Sequence, residues 1–94
     1  MNCTVHGNEW TPRESCLGFI RDLALTDDPA VTEILAEHAV IVTPTANPDG
    51  QAAGTRENAQ GLDVNRDYLA LESPEARAAV GVLNRYQPAV VVCP

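Results

Sequence analysis

Apolar and polar positions divide this chain into two kinds of segment. Residues 39–43 (Ala-Val-Ile-Val-Thr) and 89–93 (Ala-Val-Val-Val-Cys) are continuous apolar runs rich in β-branched side chains. Such runs are the pattern of strands buried on both faces. Residues 2–5 are shorter and also β-prone, and Gly7-Asn8 breaks them just after His6. Between these runs the period changes to that of helices. Cys16, Leu17, Ile20, Leu23 and Ala24 share one helical face behind Thr11-Pro12-Arg13-Glu14. That tetrad has the form of a capping box with proline at the first helical position, so a helix is predicted from Thr11 to about Thr26.

Asp28-Pro29 repeats the cap-and-proline signal, with Val31, Ile34 and Leu35 predicting a second helix to about Glu37. Ser73-Pro74-Glu75 opens a third, whose apolar face is Ala76, Ala79, Val80 and Leu83 and which ends at Gln87-Pro88. Residues 44–72 hold no sustained period. The turn Asn47-Pro48-Asp49-Gly50 and further glycines at 54 and 61 predict a long loop, and a loop of that length in a small domain points to function. The resulting expectation is an α/β chain: a fragment of an α/β/α sandwich with a largely parallel buried sheet of three strands and about three helices.

Composition narrows the function classes. The net charge is −7 and all six positive side chains are arginines, with no basic stripe. Phosphate neutralisation dominates nucleic-acid affinity, so nucleic acid is not an expected partner. No apolar run approaches the ~20 residues of a membrane span, and the first residues lack a basic-then-apolar leader pattern, so the location expected by default is cytoplasmic. Cys3, Cys16 and Cys93 are scattered without CxxC spacing. An odd number without a leader argues against a disulfide framework and for buried small hydrophobes.

Ligands of open α/β sheets gather at the carboxyl ends of the strands. There the chain places His6-Gly7-Asn8-Glu9, an imidazole and a carboxylate three residues apart, suited to Zn²⁺. Arg56 and the pair Asn65-Arg66 put two guanidinium groups on the same edge. A guanidinium fork suits a carboxylate or a developing oxyanion. The plainer alternative pairs both arginines with Glu57, Asp63, Asp67 or Glu72 at the surface. His38 precedes its predicted strand and should lie roughly 15 Å from His6, at the opposite edge of the sheet. Cys93 is on the same edge as His6 and is the one further candidate ligand.

Taken in order, His6-Gly7-Asn8-Glu9, Asn47-Pro48-Asp49-Gly50, Arg56 and Asp63-Val64-Asn65-Arg66 resemble the zinc metallocarboxypeptidase (carboxypeptidase A-like) family along nearly the whole chain. The resemblance implies that His6 and Glu9 are zinc ligands, that Arg56 polarises the scissile carbonyl, and that Asn65 and Arg66 hold the terminal carboxylate of a peptide or amide substrate. Asn8 stands where members with an HxRE motif carry an arginine, and Cys93 lies near a usual aspartate. The family's third zinc ligand, a histidine, would follow the strand matching residues 89–93, and its tyrosine and general-base glutamate lie further on. Residues 1–94 are accordingly expected to be a partial catalytic domain, lacking the third ligand and inactive alone. Two other readings are a non-catalytic remnant that binds metal weakly, and a zinc amidohydrolase of the aspartoacylase or succinylglutamate desuccinylase type, which shares the HGNE-like start.

Overall fold

Three of the four α-helices that form start at a side-chain cap. The computed structural model describes all residues, 1–94. In order they are α1 (Trp10–Leu25), α2 (Pro29–Glu37), α3 (Pro48–Ala53), a 3₁₀ turn (Val64–Arg66) and α4 (Pro74–Tyr86). Helix α2 starts at Asp28, whose side chain accepts from the Ala30 N–H, and α4 starts at Ser73, whose side chain accepts from the Ala76 N–H. Each has proline in its first turn, where the missing N–H costs nothing. Gln87 ends α4 in the left-handed conformation, its N–H returning to the Leu83 carbonyl.

Helix α1 departs from the expected start. It begins at Trp10, behind Glu9, with no side-chain cap, so the box at Thr11–Glu14 lies inside the first turn. Of its predicted apolar face only Cys16 is fully buried, while Leu17 is 46% exposed. The tetrad Asn47-Pro48-Asp49-Gly50 is also more than a turn. It opens α3, with the Asn47 side chain accepting from the Gly50 N–H and Gly54 closing the helix at φ 70°. A turn and the first turn of a helix share the same local signal, Asn followed by Pro.

The expected α/β/α sandwich with a parallel sheet is not present. The chain is helical, and its only β pairing is one isolated parallel bridge, Asn2 with Thr43. Around it Cys3 N–H donates to Thr43 O and Thr43 N–H to Met1 O, each 2.9 Å, and Asn2 N–H donates to Val92 O at 2.9 Å. Two physical reasons limit the pairing. Thr4, a β-branched residue at φ 54°, turns the backbone out of the extended line. The apolar runs also lack the covering layers that parallel strands need on both faces: Val40 is 45% exposed, Val90 75% and Val91 51%. Together with Phe19, Ile41 and Leu83 they line an open apolar cleft of about 710 Å³.

The sulfurs of Cys3 and Cys16 are joined, with Cα atoms 6.7 Å apart, which corrects the expectation of unpaired cysteines for these two; Cys93 is free and exposed. The molecule is a slab of 45 × 26 × 14 Å, too thin to enclose a large core. The core is Val5, Val64 and Ala76, with Ala46, Tyr68 and Leu71 packed against them. It ties the segment before His6 to the segment after Asp63, and so lies directly beneath the candidate site.

Candidate metal and substrate site

His6 follows a backbone reversal. With Thr4 in the left-handed region, the carbonyls of Thr4 and Val5 face Asn47: the Asn47 N–H donates to Thr4 O at 3.1 Å and Asn47 Nδ2 to Val5 O at 3.3 Å. His6 is nearly buried, and Glu9 stands half-exposed at the N-terminus of α1. The Glu9 N–H closes the intervening turn on the His6 carbonyl at 3.2 Å.

His6 Nδ1 and Glu9 Oε1 are 3.3 Å apart. Two ligands each ~2.0–2.1 Å from a tetrahedral zinc stand about 3.3–3.4 Å from one another. The donor pair therefore fits two corners of such a site. No group of three or more His, Cys, Asp or Glu side chains is arranged to hold a metal ion. His38 is exposed and its Nδ1 lies 3.0 Å from the Ile34 carbonyl, while Cys93 is exposed; neither joins the pair.

The other face of the imidazole meets Asp63, with Nε2 3.3 Å from Oδ1. This is ion-pair distance without the alignment of a hydrogen bond, and Nε2 makes no other polar contact. Because the two ring nitrogens point apart, Asp63 cannot share a metal with Nδ1 and Glu9. In this structure the ring's hydrogen bond is the one between Nδ1 and Glu9, and only a metal taking the Nδ1 lone pair would leave the ring proton on Nε2, facing Asp63.

Asp63 is the hub of the cluster. Oδ2 accepts from Arg56 Nε at 3.0 Å, Arg56 Nη2 lies 3.0 Å from the same oxygen, and Oδ1 accepts the Asn65 N–H at 3.0 Å. Burial alone would raise its pKa. The Arg56 and Asn65 hydrogen bonds, with the Arg56 and His6 charges, outweigh burial and hold the carboxyl below its ordinary 3.8. Sequence reasoning assigned Asp63 only the role of a surface partner for an arginine. Its contact with His6 depends on the core that packs Val5 against Val64, one residue from each.

Arg56 is thus brought to the imidazole through Asp63. The 3₁₀ turn holds Asn65 and Arg66 on the exposed rim, where Arg66 Nη1 donates only to the Asn65 carbonyl at 3.2 Å. Asn58 shapes the intervening loop: its Oδ1 accepts from the Gln60 and Leu62 N–H groups, both at 3.0 Å, and Nδ2 donates to Glu75 Oε2 at 2.9 Å. Asp67 anchors the far end, accepting from the Glu72 N–H at 2.9 Å and the Ser73 N–H at 2.6 Å.

Comparison with known proteins follows the same stretch. The family model described as Zinc carboxypeptidase matches residues 1–88. The chain is 34% identical to Carboxypeptidase E of Caenorhabditis elegans, over 73% of this chain and 18% of the relative. It is 31% identical to Carboxypeptidase SOL1 of Arabidopsis thaliana, over 79% of this chain and 18% of the relative. It is 32% identical to Carboxypeptidase Z of Homo sapiens, over 80% of this chain and 14% of the relative. The chain thus spans less than a fifth of the length of these relatives. No solved structure matches it. No helix is long and apolar enough to cross a membrane.

Proposed function

The chain belongs to the zinc carboxypeptidase family, and from that premise we propose that residues 1–94 are part of the catalytic domain of a zinc metallocarboxypeptidase. The complete domain would hydrolyse the C-terminal peptide bond of a peptide with a free carboxylate. The observation that carries this reading is the 3.3 Å spacing of His6 Nδ1 and Glu9 Oε1, with Asp63 on the opposite ring nitrogen. His6 and Glu9 would hold the zinc, with the third protein ligand supplied from outside these 94 residues. Zinc, when bound, polarises a carbonyl and makes a bound water acidic.

The remaining steps belong to the chain's own residues. With a metal on Nδ1, the ring proton would lie on His6 Nε2, where the Asp63 carboxylate stands 3.3 Å away and would orient the ring. Arg56 stabilises the oxyanion that develops on the scissile carbonyl, and in the present arrangement its guanidinium rests on Asp63. Asn65 and Arg66, exposed on the rim, bind the terminal carboxylate and so select the chain end.

A second reading, metal binding without turnover, is favoured for the isolated chain by the same Arg56–Asp63 pair, which occupies the guanidinium at 3.0 Å. Titration with cobalt(II) or zinc, followed by absorption and by heat, tests both. Saturable binding that His6→Ala and Glu9→Ala each abolish is the expected result, with no peptide hydrolysis by the chain alone. Equal binding by wild type and Glu9→Ala would remove the assigned site. Turnover abolished by His6→Ala would overturn the reading without catalysis.

A further inference from the structure

Asn47 is fully buried and belongs to neither the metal pair nor the arginines, yet its side chain makes three hydrogen bonds to three separate segments. Oδ1 accepts the Gly50 N–H at 2.9 Å, which caps α3. Nδ2 donates to the carbonyl of Val5 and to the carbonyl of Arg56, each at 3.3 Å. Val5 immediately precedes His6. One amide group therefore links the backbone before the imidazole to the backbone of the arginine. The assignment of its nitrogen and oxygen is dictated by these partners, since two carbonyls require a donor and the Gly50 N–H requires an acceptor.

Capping α3 needs only the oxygen, which Ser or Asp would provide equally well. The two bonds from Nδ2 are additional, and only an amide supplies them from this position: Asp has no donor and a Ser hydroxyl has one. The surroundings are built around the same group. A second strut runs parallel, the Gly7 N–H donating to Arg56 O at 3.4 Å. A Cβ on Gly50 would lie 2.5 Å from Asn47 Nδ2 and 2.4 Å from Glu57 O, so the amide occupies space that a side chain at Gly50 would take.

We infer that Asn47 is a positioning residue that sets His6 against Arg56 through its two Nδ2 bonds, a role separate from capping α3. The metal and carbonyl roles of His6 and Arg56 that it would serve rest on the function proposed above. The link itself stands on the two Nδ2 bonds.

The test compares wild type with Asn47→Ser and Asn47→Asp, both of which keep a capping oxygen. Amide hydrogen exchange is read at Gly7, at Gly50 and at Val80 in α4, and cobalt(II) alone is titrated into each protein. If Nδ2 is the link, Gly7 exchange rises at least about tenfold in both variants, while Gly50 and Val80 keep their protection. Cobalt affinity then falls by roughly tenfold or more, as for other groups that orient a metal ligand. Failure of Asp to rescue Gly7, although it caps as well as Asn, separates the donor role from the capping role. Gly7 protection within twofold of wild type in both variants overturns the inference. Equal acceleration at Gly7, Gly50 and Val80 also overturns it, because the effect would then be a general loss of stability. Accelerated Gly7 exchange with no cobalt binding by wild type supports the link and removes the metal reading.

Discussion

Gly7 is the position where one added methyl group should do most damage. Its φ is one that any residue can adopt, so the requirement is for space alone. A Cβ built there lies 2.0 Å from the carbonyl carbon of Gly50, 2.3 Å from the Gln51 nitrogen and 2.5 Å from the Gly50 Cα. All three are main-chain atoms, so no side chain can swing away. Ordinary carbon contacts are about 3.5–4.0 Å, and α3 would have to retreat by roughly 1.5 Å. That retreat pulls on the Gly7–Arg56 and Asn47 bonds together. Overpacking in a core commonly costs about 1–3 kcal/mol, and two backbone segments forced apart place Gly7→Ala at roughly 3 kcal/mol or more. In a domain of this size 1 kcal/mol moves Tm by about 4–8 °C, so melting should fall by about 12 °C or more. The control is Gly18→Ala, in the middle of α1 with no atom within 4 Å of the new Cβ. It should stabilise by about 0.5–1 kcal/mol, because alanine restricts the unfolded chain. Both are read by circular dichroism melts. A Gly7→Ala protein that melts within about 2 °C of wild type, or a Gly18→Ala protein that loses as much, would refute the packing argument.

Other perturbations address the cluster and the frame. Asp63→Ala should lower cobalt(II) affinity about 10–100-fold by releasing His6 Nε2, and unchanged affinity would separate Asp63 from the ring. Asp67 is held below its ordinary 3.8 by hydrogen bonds from the Ser73 hydroxyl, the Ser73 N–H and the Glu72 N–H. A lowered folded pKa means its contribution is fully present above the unfolded value and is lost as pH falls from there through the folded value. The urea midpoint should therefore drop between about pH 5 and 2, and Asp67→Asn should flatten that limb. Parallel limbs for both proteins would exclude it. Without reductant, alkylation should label Cys93 alone. Reducing the Cys3–Cys16 bond, which spans 13 residues, should cost about 3 kcal/mol in a urea titration. Three labelled cysteines in the untreated protein would count against the pairing.

What could be read in advance was local. The caps at Asp28 and Ser73 specify α2 and α4 within a few residues, and the structure keeps both. The start of α1 carries no such signal, because its N-cap Glu9 makes no capping bond and the tetrad Thr11–Glu14 falls inside the helix. The runs at 39–43 and 89–93 correctly announce apolar backbone, but pattern states only a need for burial. Whether a ladder forms depends on covering layers and on Thr4, whose left-handed φ has no signature in a β-branched residue. The site divides in the same way. His6 and Glu9 are close because they are three apart on a tight turn. The meeting of His6 with Asp63 spans 57 residues of sequence and arises from packing around Val5 and Val64, which no spacing rule contains.

The sequence distances bridged by Asn47 also order events in time. Its bond to Val5 closes 42 residues and its bond to Arg56 closes nine. Local helices form in about a microsecond or less, whereas distant closures must first overcome loop entropy. Helices α1 and α2 lie entirely within the longer loop and can be complete before it shuts. The short closure to Arg56 can form early as well, fixing the Arg56 backbone against α3. The imidazole joins only when the 42-residue closure occurs, so the meeting of His6 with Asp63 and Arg56 is a late step on the folding route. Substitutions at Val5 or Asn47 should consequently change the rate at which the site appears more than the rate at which helix appears.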